Sequence, residues 1–88
     1  MFEWDPPKRL WNIQERHLDF VDAKQMFDGR PIIHVPSWRN DEDRIVSIAE
    51  IEGKLYAVVW MWRLENRQII SFRRARDGEE RAYRKAHG

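Results

Sequence analysis

The chain has no cysteine, which removes disulfides, thiolate metal sites and a sulfur nucleophile from consideration. Its longest apolar run, in "LYAVVWMW", is far too short to cross a bilayer. The opening "MFEWDPPKR" lacks the basic-then-apolar order of a secretion signal. A soluble, cytoplasmic protein with no membrane association is the expectation that remains. No internal repeat, low-complexity tract or linker divides the 88 residues, so one small domain over 1–88 is expected. Histidine is scarce as well. His17, His34 and His87 are not spaced with one another or with a carboxylate as metal ligands would be, so neither a metal nor another cofactor is expected.

Aromatic side chains and charge are what the chain does have. Five tryptophans let so short a sequence reach a workable core. A formal charge of +1 conceals a division: residues 1–62 carry 8 Lys/Arg against 11 Asp/Glu, and residues 63–88 carry 8 against 4. Arginine outnumbers lysine 12 to 4, and its planar fork suits phosphate or carboxylate. The C-terminal end is therefore matched either to a polyanion or to the acidic half of its own chain.

Two short helices are expected first. Asp5 can cap "PPKRLWNIQERH", whose prolines fit a first turn, and Leu10, Ile13 and His17 form its stripe. Asp19 caps the second, with Phe20, Ala23 and Phe27 on its apolar face and Gly29 and Pro31 ending it. "PIIHVPSW" suits an edge strand, and "RNDED" a polar loop, with Trp38 before it partly exposed. "RIVSIAEI" and "KLYAVVWMWR" join through Glu52-Gly53, and Glu65-Asn66 turns the chain into "RQIISFRR". Trp60 and Trp62 alternate with Val58 and are read as core. A final helix is capped by Asp77, with Glu80 three residues on. The fold class is thus α+β, with two N-terminal helices, an antiparallel sheet of three to four strands and a C-terminal helix.

Alternation along residues 67–74 sets Arg67, Ile69, Ser71 and Arg73 on one face of the last strand. Gln68, Ile70, Phe72 and Arg74 fall on the other, with Ile70 and Phe72 as its core. Cleaving RNA without a metal needs cations around the phosphate and groups that move protons. Arg63 and Arg73 can supply the first, and Tyr83 or Glu79 the second. Ion pairing of these arginines with Glu79 or Glu50, and simple packing of Tyr83, are the plainer alternatives. In an antiparallel meander Arg44 and Arg63 share one end of the sheet, with Arg73 nearer the other.

"FEWDPPK", Asn12 followed by "LDF" and by Ala23 with "FDG", a Glu-Asp-Arg entry into a strand, "VVW", and "IIS" followed by Arg73, Ala75, Glu79 and Tyr83 occur in that order. This ordered set, over roughly residues 2–83, resembles the BrnT family of toxins from type II toxin–antitoxin pairs, which have a RelE-like fold. The resemblance implies a small endoribonuclease that arrests growth. It also implies a BrnA-like ribbon-helix-helix antitoxin as partner, through which the pair binds operator DNA. Carried over by position are Arg44, Arg63, Arg73, Glu79 and Tyr83, with Asp5 and Asn12 as helix-start and packing positions. Arg44, Arg67, Arg74 and Arg76 are the candidate RNA contacts. The chain departs from the family at Glu15-Arg16-His17 and at Gln68. A non-catalytic module that binds only antitoxin and operator, or a toxin with a target such as gyrase, are the rival readings.

Overall fold

A computed structural model describes residues 1–37 and 43–88. In chain order the elements are β1 (Phe2–Trp4), α1 (Pro6–Arg16), α2 (Phe20–Ala23), a 3₁₀ turn (Lys24–Phe27), β2 (Ile32–Pro36), β3 (Ile45–Ile51), β4 (Lys54–Arg63), β5 (Asn66–Arg74) and α3 (Asp77–His87). The strands form one sheet in the order β1-β5-β4-β3-β2. β2 to β5 make an antiparallel meander, and β1 lies parallel to β5 with Phe2 opposite Arg67 and Trp4 opposite Ile69.

The architecture is α+β, but the sheet corrects the expectation. It has five strands and is mixed, not three to four and antiparallel. The added strand is "FEW", a stretch to which the sequence pattern assigned no element. Its period is two: Phe2 packs on Phe27 and Trp4 on Phe20, while Glu3 accepts hydrogen bonds from Arg63 and Asn66. Three residues were too few for that alternation to stand out.

The expected pair of N-terminal helices is corrected too. Beyond α1 there is one α-helical turn followed by a 3₁₀ turn. Asp19 does cap α2, accepting from the Val21 N–H, and its carboxylate takes two hydrogen bonds from Arg9. Phe20, Ala23 and Met26 are all fully buried, and their strict spacing of three is the period of a 3₁₀ winding. An α-helix would carry Met26 off the core. In α1 the expected apolar stripe is also misread, because Leu10 and Trp11 are exposed and the buried residue is Asn12. Asp5 occupies the N-cap position with its backbone carbonyl accepting from Lys8 and Arg9.

Asn12 decides how α1 meets the sheet. β1 stops at Trp4, leaving the edge of β5 open farther along. There the Asn12 amide replaces a neighbouring strand: Nδ2 donates to the Phe72 carbonyl at 2.8 Å, and the Phe72 N–H donates to Oδ1 at 3.2 Å. Nδ2 also donates to the Leu18 carbonyl.

The sheet separates two apolar clusters. Phe20, Ala23 and Met26 pack on Ala49, Val58, Trp60, Ile69 and Phe72 on one face. Val46, Ile48, Leu55 and Ala57 pack on the other, beneath Ala75 and Tyr83. Val59 pairs with Ser71 and Trp60 with Ile69, which leaves Ile70 as the extra residue of a bulge. Simple alternation therefore fails on β5. Ile69 joins Phe72 in the first core, and Ile70 is only half-buried.

Glu52 and Gly53 form the β3–β4 turn as expected, both at positive φ. Three other local expectations need adjustment. At β4–β5 the left-handed residue is the exposed Leu64, while Asn66 is already paired with Arg63 inside the ladder. α3 begins with Arg76 at its N-cap and Glu79 as the reciprocal acceptor, one residue ahead of the expected Asp77 and Glu80. Trp60 is buried as expected, whereas Trp62 stands half-exposed against it. Trp38 and most of "RNDED" lie outside the described residues.

Candidate active site

A groove of about 340 Å³ opens on the face of the sheet away from α2. Val35, Val46, Val59 and Ser71 lie along its apolar side, and Arg16, Arg73, Arg76 and Glu79 bring the charge. Each cation arrives from a different element. Arg73 stands near the end of β5, beyond the bulge at Ile70, where plain alternation sets it on the face opposite Phe72. Arg76 is the α3 N-cap. Arg16 is one turn beyond Asn12, so the amide that closes the β5 edge also aims the next residue on that stripe over the strand. His17 ends α1 in the left-handed conformation, its N–H bonded to the Ile13 carbonyl.

Glu79 organises the charge. Arg73 donates to both its carboxylate oxygens, at 2.7 and 2.9 Å, and the Arg76 N–H donates to Oε1 at 2.8 Å. The side chains of Arg73 and Glu79 are only 13% and 18% exposed, which makes this the most enclosed of the ion pairs between described residues. Burial alone would raise the Glu79 carboxyl, but the hydrogen bonds and positive charge from Arg73 and Arg76 outweigh it and hold the group below the usual glutamate range. Arg16 donates to Ser71 Oγ at 3.3 Å. Burial, and then the charges of Arg73 and Arg76, push its guanidinium below the usual arginine value. Three cations thus face one another across a partly dry groove with one carboxylate among them, an arrangement that favours an added anion.

The other residues singled out in the sequence lie elsewhere. Arg63 pairs with Glu3 at 2.9 Å beside the β4–β5 turn, its side chain 66% exposed. Its partner in the ladder is Asn66, roughly 20 Å along β5 from Arg73 at the usual rise per residue. Arg67 lies on the opposite face, its guanidinium carbon within 5 Å or so of the Phe27, Trp60 and Trp62 rings and farther from Phe2. Arg74 lies over Tyr56 and donates to the Leu55 carbonyl. Arg44 precedes β3, and its carbonyl accepts from Ser37 at the groove's rim. Tyr83 packs on the second core and opens onto a separate cleft with Asp28, Arg30, Glu50 and Glu52. Of the eight expected site residues, Arg73, Arg76 and Glu79 come together in the groove. Arg16 and Ser71 were missed as site residues. The signal for Arg16 was its place four residues after Asn12.

Among the described residues no group of three or more His, Asp or Glu side chains gathers as metal ligands. No helix among them is long and apolar enough to cross a membrane.

The model of the family described as ribonuclease toxin, BrnT, of type II toxin–antitoxin systems matches residues 4–79. The chain belongs to the BrnT family. A protein antitoxin as partner follows from that membership. No individual curated protein matches the chain. The matched span of this BrnT toxin includes all the groove residues, from Arg16 to Glu79, and stops short of Tyr83.

Proposed function

We propose that this BrnT toxin cleaves RNA without a metal ion, in the groove between the end of α1, β5 and the start of α3. The observation that carries the reading is the gathering of Arg16, Arg73 and Arg76 around a single carboxylate. The scissile phosphate takes the place between the guanidiniums, with Ser71 beneath it. The RNA 2′-oxygen attacks the adjacent phosphorus, the bond to the 5′-oxygen breaks, and a 2′,3′-cyclic phosphate and a 5′-hydroxyl result. Glu79 accepts the 2′-hydroxyl proton, and the leaving oxygen takes one from water. The guanidiniums stabilise the charge that builds on the phosphorane oxygens, where fixed donors contribute most.

The phosphate also prepares the base. A carboxylate held by Arg73 is a weak base. Once Arg73 turns to the phosphate, the largest interaction that lowers Glu79 is lost; the Arg76 N–H still lowers it, and burial still raises it. Arg44 and Arg63 are outer contacts for the RNA strand in this reading, and Tyr83 supports α3 from the second core. The toxin acts in the cytoplasm and is neutralised by a BrnA-like ribbon-helix-helix antitoxin, through which the pair reaches operator DNA.

The test is cleavage of single-stranded RNA by purified protein in EDTA, with wild type beside Arg73→Ala and Arg16→Ala. Cleavage that persists on chelation and falls at least a hundredfold in Arg73→Ala is expected, since loss of one transition-state donor costs about that much. Activity abolished by EDTA would reject the metal-free route. Undiminished activity in both variants would reject the groove.

A further inference from the structure

Trp11 has no part in either core. It sits on α1 with 52% of its surface exposed, beside the Asn12 that fixes the helix to β5. An indole is an unusual group to leave in water on a chain that needs its apolar area. Its helical neighbours at three and four residues are Pro7, Lys8, Gln14 and Glu15, all exposed and three of them polar, and Leu10 is the exposed apolar side chain next to it in sequence. A protein anchor would be ringed by apolar surface. This ring is joined instead to the cationic groove.

The joint is Arg16. Its guanidinium carbon lies 5.3 Å from the centre of the Trp11 ring, and the same guanidinium donates to Ser71 on the groove's floor. One side chain therefore spans the distance between an aromatic surface and the place proposed for phosphate. Single-stranded nucleic acid alternates the two chemistries in the same way, a charged link and then a flat base. Proteins meet it with cationic grooves flanked by aromatic rings, whose stacking tolerates any base.

We propose that Trp11 is a nucleobase-stacking subsite, which takes one unpaired base of single-stranded RNA next to the phosphate held by Arg16, Arg73 and Arg76. The inference rests on the ribonuclease reading and adds to it. It makes the strand enter along α1. It also makes the substrate unpaired at that nucleotide, because a base stacked on Trp11 is withdrawn from a duplex.

Two probes separate the base from the phosphate. Single-stranded 2′-O-methyl RNA of mixed sequence lacks the attacking hydroxyl and carries both groups, whereas inorganic polyphosphate carries charge alone. Trp11→Ala is expected to weaken the 2′-O-methyl RNA about tenfold, in the range measured for loss of one stacked base, and to leave polyphosphate unchanged. Trp11→Tyr should restore most of the affinity, because it keeps a ring to stack on. Trp11→Gln gives a second truncation that suits an exposed helix position and should match the alanine variant. Arg73→Ala should weaken both probes. If Trp11→Ala and Trp11→Gln bind the RNA as wild type does while Arg73→Ala loses it, the subsite is overturned and the groove stands. Equal weakening of both probes by Trp11→Ala overturns it too, since the ring would then merely prop Arg16. If Arg73→Ala leaves both affinities intact, the ribonuclease reading falls and the subsite with it.

Discussion

Replacing Asn12 by leucine tests the link between the fold and the groove. Asn12 is 1% exposed and holds three backbone groups: the Phe72 N–H, the Phe72 carbonyl and the Leu18 carbonyl. Leucine has the same branched outline with bulkier methyl groups, so no cavity opens, but it offers no partner to any of them. The two Phe72 groups are buried, and each left unsatisfied costs about 1–3 kcal/mol. Water can reach the Leu18 carbonyl more readily, so it adds little. A leucine side chain buried in place of the amide returns about 1–2 kcal/mol. The expected net loss is about 3 kcal/mol, a large share of the 5–15 kcal/mol typical of a domain. Urea unfolding followed by circular dichroism should show a lower midpoint at an unchanged slope, and the melting temperature should fall by roughly 15 °C. Gln14→Leu, exposed on the same helix, serves as the control and should stay within about 0.5 kcal/mol of wild type. If Asn12→Leu also stays within that margin, the amide does not complete the β5 edge, and the account of how Arg16 is aimed fails with it.

Three further outcomes are expected. Arg67→Met should keep full cleavage and lose less than about 1 kcal/mol of stability, because its buried Nε has no partner and that cost offsets much of the attraction of the rings; a fall in cleavage would return Arg67 to the RNA contacts. Asp19→Asn should lower the melting temperature at neutral pH but not in strong acid. The hydrogen bonds from Arg9 depress the carboxyl to about 2, so its stabilisation is present above the usual carboxylate range and is lost as pH falls toward 2, while asparagine still caps Val21; an equal deficit at both ends of a pH series of melts would refute this. For Glu79, kcat/KM should fall only below the usual glutamate range, and the acid limb of kcat should lie at higher pH, because bound phosphate takes Arg73 from it; coincident limbs in a pH–rate series would count against Glu79 as the base.

The sequence carried α1, α3, the meander and the family in its long periodic stretches, and failed where a feature was shorter than its own period. β1 is three residues long, so its alternation had no room to repeat. The 3₁₀ turn was hidden because spacings of three and four both satisfy a helical stripe, and only burial of Met26 with Phe20 and Ala23 separates them. On β5 the bulge shifts the pattern by one residue, and nothing in "RQIISFRR" marks which isoleucine is the extra one. Arg73 was nonetheless assigned the correct side, since it lies beyond the bulge on the same register as Phe72.

The site was harder to read for a physical reason. Strand alternation tells which residues share a face, but the groove is built where the sheet's edge meets two helix ends, and no period runs through all three. Arg63 and Arg73 look equivalent in sequence, as arginines closing neighbouring strands. The antiparallel register sends them to opposite ends, where Glu3 takes one and Glu79 the other. The two pairs then differ in consequence. Arg63 is largely exposed where it meets Glu3, so that pair is screened by water and readily exchanged. Glu79 is held by Arg73 and by the Arg76 N–H together, and it faces Arg16 across the groove. A phosphate entering there relieves the repulsion among three cations, and it needs to displace only one of the carboxylate's two partners, because the α3 N-terminus keeps Glu79 in position. In the proposed reaction the ion pair within the groove is therefore also what leaves a carboxylate in place beside the phosphate that takes over Arg73.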